Sequence, residues 1–211
     1  MSGHLLITGF GPFPGMPRNP AEALARHIRA HPRLRLGSAV PPRVLVMRTA
    51  YRSLDADLAP ALAERPAAVL MLGVASRARR LRVEARARNR GSQLHPDASG
   101  RPAARLALDR HGPPARVSPH AARALATLRR HGLAVRPSVD AGHYLCNASY
   151  FLALAQACPV LFVHVPPVAR TRRPRRSGRS PSRVEPARQT AALVEVALAL
   201  AATARAAEFR R

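Results

Sequence analysis

Residues 67–75 read AAVLMLGVA, a run without a charge or a polar side chain, whose strand is expected to end at Gly73. Apolar residues without alternation mark a strand buried on both faces, as in a parallel sheet covered by helices. HLLITGF (4–10) and PVLFVHVP (159–166) are mostly apolar strand-like runs, PRVLVMRTA (42–50) is a further strand candidate, and LAVRPSVDA (133–141) reads as a shorter strand. Helical patterns lie between them. PAEALARHIRAH (20–31) follows Asn19 as a cap, with Pro20 at its first position,. SLDADLAPALAERP (53–66) is weakened by Pro60, SPHAARALATLRRHG (118–132) is closed by Gly132, and HYLCNASYFLALAQA (143–157) is an apolar helix that runs to Cys158,. A long C-terminal helix spans 185–209. The segment 76–114 lacks a steady period and is expected to be a long connection carrying short strands. Alternating strands and helices predict an α/β fold, one domain over 1–211, with a mainly parallel sheet covered on both faces.

The 211 residues suffice for one sizeable core,. Aromatics make up only 4%, so alanine and valine must fill much of the interior,. Two cysteines with no metal-type spacing leave neither a disulfide framework nor a zinc site, and no cofactor is expected,. The apolar run near the N-terminus is too short for a signal-peptide core, so a cytoplasmic, reducing location is expected, without membrane attachment. A formal net charge of +24 would ordinarily point to nucleic acid,. All 35 basic residues are arginine and are spread along the chain, which reads as a substitution bias rather than a binding patch. One dense cluster, ARTRRPRRSGRSPSR (169–183), reads as a solvated loop,.

The chemistry concentrates at three residues. Cys146 stands where a Gly-containing turn enters a helix, and free N–H groups with the positive dipole end favour a thiolate there. His164 ends a strand-like run, and Glu84 is an acid within the basic stretch LRVEARARN. Ligands in such folds gather beyond the carboxyl ends of strands, where Glu84 and His164 fall. Thiol, imidazole and carboxylate are the parts of an activated nucleophile. Each also has a plainer reading: a buried thiol, a core histidine, a surface acid paired with Arg82 or Arg86. Phe10 and Phe13 read equally well as core anchors under a loop.

Four blocks resemble the pyroglutamyl peptidases of type I: LLITGFGPFPGMPRNP (5–20), VLMLGVASRARRLRVEARARN (69–89), DAGHYLCNASY (140–150) and FVHVP (162–166), in that family's order and approximate spacing. The resemblance implies a three-layer α/β/α fold and a cysteine exopeptidase acting on peptides blocked by N-terminal pyroglutamate. It further implies Cys146 as nucleophile, His164 as base, Glu84 as the group orienting the imidazole, and Phe10, Phe13 and Tyr144 lining the substrate pocket. Three positions depart from the pattern, one of them Pro14, which replaces a glycine of the first loop. Val74 stands where the family has a glutamine, and Leu94, in SQLHPD, where the resemblance implies an arginine that helps stabilise the oxyanion. A homo-oligomer is compatible with the chain. A non-catalytic or different-substrate member of the same fold, and an arginine-rich nucleic-acid-binding protein, remain the alternatives.

Overall fold

A computed structural model describes residues 3–38, 40–167 and 186–210. The arginine-rich cluster 169–183 lies outside the described residues. Six strands form the central sheet: β1 (Leu5–Phe10), β2 (Arg43–Met47), β3 (Ala68–Val74), β4 (Leu81–Glu84), β7 (Val135–Ser138) and β8 (Val160–Val165). Their order is β2-β1-β3-β8-β4-β7. The first four run parallel; β4 and β7 are parallel to each other and β4 is antiparallel to β8. The mainly parallel sheet expected from the sequence therefore carries a reversed pair at one side. Short strands β5 (Arg86–Arg88) and β6 (Ala115–Val117) make a separate antiparallel ribbon from the long connection.

The alternating faces of the strands split the interior into two layers. Leu5, Ile7, Leu70, Leu72, Val83, Leu161 and Val163 point to one side, where they meet α1 (Pro20–Ala30), α2 (Pro32–Leu36), α4 (Ala121–Arg130) and α6 (Pro186–Glu208). Leu6, Phe10, Met71 and Phe162 point to the other, against α3 (Ala59–Ala63) and α5 (Leu145–Ala153). Because both faces are covered, the central strands need no polar positions, which is why they read as continuous apolar runs. In α1 the Asn19 side chain accepts from the Ala21 N–H at 3.0 Å, and Leu24 and Ile28 are buried. Each such side chain contributes about 1.5–3 kcal/mol. By length and composition α6 is apolar enough to cross a membrane, yet Leu193, Val194, Val196, Ala197 and Leu200 are buried against the sheet and its helices.

Three boundaries differ from the sequence reading. Gly73 does not end its strand, which continues through Val74. The helix around Pro60 is split into a π-helical turn, Leu54–Leu58, and the short α3, whose first turn places Pro60 where its missing N–H costs nothing,. The helix after Cys146 stops at Ala153, so Cys158 lies in the turn before β8 and not on the helix.

Candidate active site

Tyr144, with extended backbone, caps α5, and Cys146 is the helix's second residue. Its backbone N–H is among the first four, which have no partner within the helix. The Cys146 sulfur reaches back to the sheet and rests against β3. A Cβ built on Gly73 would come within 2.9 Å of Sγ and 2.7 Å of Cζ of Phe162. Gly73 is the register partner of His164 on β8. The thiol therefore occupies the space that a side chain would otherwise take beside the imidazole, with which it interacts by charge and hydrogen bond.

On the other flank of His164 stands β4. Glu84 is paired with Phe162, which makes it the diagonal neighbour of His164 on the same face,. His164 Nδ1 and Glu84 Oε1 are 2.8 Å apart. The imidazole is buried and its ring lies 4.8 Å from that of Phe162. Glu84 is wholly buried, and its Oε2 has no hydrogen-bond partner among the described residues. Burying a carboxylate in this way is costly unless a cation faces it. Burial by itself would depress the His164 pKa. The electrostatic interaction and hydrogen bond with Cys146, together with those of Glu84, outweigh it and raise the value to about 9. With Nδ1 engaged by Glu84, Nε2 is the ring nitrogen left for the thiol,.

The predicted pocket residues divide. Phe10 and Tyr144 share the apolar layer that contains Cys146, whereas Phe13 lies outside that layer, half-buried in a tight turn with two backbone hydrogen bonds to Met16. The Tyr144 hydroxyl donates to the Pro96 carbonyl at 3.1 Å, and its ring meets Tyr51 edge-on at 5.7 Å. Leu94 is 88% exposed. Val74 packs into the opposite layer, away from Cys146. Arg88 faces Asp140 at 4.0 Å and Arg90 is exposed.

Several further residues shape the site through contacts that the sequence does not show. Asn147, wholly buried, accepts from the Arg88 N–H at 2.8 Å and donates to the carbonyls of Arg88 at 2.9 Å and Arg90 at 2.8 Å, fastening β5 to the turn that carries Cys146. Its signal was an amide inside an apolar helix. Asp97 accepts from the N–H groups of Tyr51, Ser99 and Arg101 and from the Ser99 hydroxyl. Burial opposes its ionisation, but these hydrogen bonds win and lower its pKa to about 2. It thereby joins the segment around Tyr51 to the loop 92–101. The Tyr150 hydroxyl donates to the Glu84 carbonyl at 2.8 Å, tying α5 to β4. No group of three His, Cys, Asp or Glu arranged for a metal ion occurs among the described residues.

A family model described as pyroglutamyl peptidase matches residues 3–201. The chain belongs to the pyroglutamyl peptidase family. Membership makes it a peptidase, in agreement with the resemblance carried by the four sequence blocks. It is 33% identical over 171 residues to a pyrrolidone-carboxylate peptidase from Thermococcus litoralis, covering 77% of this chain and 76% of that one. Among solved structures it is similar to pyrrolidone carboxyl peptidase from Thermus thermophilus, with TM-score 0.75, 29% identity, and 93% and 99% of the two chains covered. The Thermococcus litoralis enzyme structure shares the fold at TM-score 0.77 and 24% identity over 98% of this chain and 96% of that one.

Proposed function

We propose that the chain is a cysteine exopeptidase that removes N-terminal pyroglutamate from peptides, using Cys146, His164 and Glu84. The observation that carries this reading is the line Cys146, His164, Glu84 across β3, β8 and β4, with the sulfur in the gap at Gly73 and the carboxylate behind the ring. His164 takes the thiol proton, and the Cys146 thiolate attacks the carbonyl carbon of the pyroglutamyl residue to form a tetrahedral oxyanion. The free N–H of Cys146 at the start of α5 receives that oxyanion. The C–N bond breaks as His164 protonates the departing amine, leaving an acyl thioester and a neutral imidazole. Water then loses a proton to His164 and attacks the thioester, releasing pyroglutamate and the thiol. Glu84 holds the imidazole by its Nδ1–H and balances the imidazolium.

Phe10 and Tyr144 form walls suited to a flat lactam ring, with Phe13 in the loop beside them. With Leu94 turned to solvent and Val74 facing the other layer, the pocket lacks two polar groups of the family pattern. Loss of one oxyanion donor costs on the order of 100- to 1000-fold in rate, so slow turnover with weaker discrimination against prolyl analogues is expected. Two free thiols suit a reducing, cytoplasmic setting,. Hydrolysis of a fluorogenic pyroglutamyl amide, abolished in Cys146→Ser, tests the reading; turnover retained by that variant would reject it.

A further inference from the structure

Across the sheet the site groups fall in a fixed order. Phe10 ends β1, the Cys146 sulfur sits over Gly73 of β3, and His164 follows on β8. Beyond it, Arg82 on β4 is the register partner of His164, and Arg136 on β7 is the partner of Arg82. Leu81 and Val135, their neighbours, point into the opposite layer, so both arginines share the face of His164. In the proposed reaction the acyl ring lies on the β1 side, by Phe10, and the leaving nitrogen takes its proton from His164. The departing peptide then extends over β4 and β7.

That side is lined with unbalanced cations. The loop 75–80 joins β3 to β4 and has to cross the carboxyl end of β8, which lies between them; the Ala75 N–H donates to the Val165 carbonyl at 3.0 Å. It carries exposed Arg77, Arg79 and Arg80. Ion pairs elsewhere take up Arg26 with Glu22, Arg43 with Glu64, Arg116 with Asp109 and Arg130 with Glu195, and many other described arginines also carry none; what sets this group apart is its place beside His164. Among the described residues none of Arg77, Arg79, Arg80, Arg82 and Arg136 has an ion pair, and Arg82 Nε is buried without a hydrogen-bond partner. The nearby acid, Glu84, is committed to His164. Arginines one strand spacing apart lie within a Debye length of ~8 Å and act as one field on a passing anion.

We infer that this site prefers pyroglutamyl peptides whose next residues are acidic, with Arg82, Arg136 and the 77–80 arginines holding those carboxylates by charge-assisted hydrogen bonds. The inference rests on the proposed function. It is tested with pyroglutamyl-Asp-Glu, pyroglutamyl-Ala-Ala and pyroglutamyl-Arg-Arg amides, comparing kcat/KM at about 20 mM and about 300 mM salt. The expected result is roughly tenfold or greater preference for the acidic over the basic peptide at low salt, carried mostly by KM and shrinking at high salt. Arg82→Gln and, at an exposed position where folding does not depend on it, Arg136→Gln should each reduce that ratio several-fold. Similar kcat/KM on all three peptides, or a ratio unmoved in both variants, would overturn the charge preference and leave the peptidase reading standing. No turnover of any pyroglutamyl peptide would overturn both.

Discussion

Gly73 and His164 are register partners on β3 and β8, and the side chain Gly73 lacks is replaced by the sulfur of Cys146. The thiol at the start of α5 and the imidazole on β8 are thus brought together by an absence on β3, the strand next to β8,.

Gly73→Ala is accordingly expected to be severe. The new methyl would meet Sγ at 2.9 Å and Phe162 Cζ at 2.7 Å, and the aromatic ring is fully buried. Overpacking of this kind costs about 1–3 kcal/mol. Displacing the sulfur from the imidazole should lower kcat by more than that stability loss explains. Parallel thermal melts and kinetics on a pyroglutamyl amide would check it; full activity would remove Gly73 from the site.

Replacing Glu84 by Gln keeps the shape and removes the charge. An amide accepts or donates to Nδ1 but cannot balance an imidazolium in a buried position, and turnover is expected to fall by up to ~10⁴-fold with the fold retained. Wild-type kcat in a folded Glu84→Gln protein would leave Glu84 as a structural partner only.

The His164 pKa, raised to about 9 in the folded protein, sits above the ordinary value of 6.5. Folding therefore takes up a proton between those values. The stabilisation from this group is complete below about pH 6.5 and is lost as the pH rises through 9. Cys146 supplies the largest raising contribution. Cys146→Ser should therefore bring the value down, read by NMR titration of the His164 ring. An unchanged titration in that variant would show that Glu84 alone holds the proton.

Asn147→Asp should destabilise more than its size suggests. The carboxylate retains an acceptor for the Arg88 N–H but turns an oxygen toward the carbonyls of Arg88 and Arg90, which lose their donor. Unsatisfied buried groups cost about 1–3 kcal/mol each. Urea denaturation is expected to show a loss in that range or above, with β5 the first segment to gain hydrogen exchange.

Lowering the pH should loosen the Tyr51 and Asp97 corner late. Asp97 is held to about 2, below its usual 3.8, so its contribution is present above about pH 4 and disappears as pH falls toward 2,. Asp97→Asn should therefore mimic at neutral pH the opening of the loop 92–101 that wild type undergoes only in strong acid, followed by exchange of the Ser99 and Arg101 amides.

The sequence by itself determined the buried strands, the capped helix after Asn19 and the chemistry available at Cys146, His164 and Glu84, because continuous apolar runs, capping side chains and helix starts are local properties. Four family-like blocks in order added the architecture. What only the tertiary structure decided was register. The reversal of β4 against β8 sets Glu84 diagonal to His164, a residue eighty positions away in the chain. A slip of one residue would have turned Glu84 into the opposite layer. The fit of the sulfur over Gly73, the clamp made by Asn147 and the facing of Val74 away from the thiol are likewise settled by which strands lie side by side. No pattern along one segment encodes the contacts it makes with another.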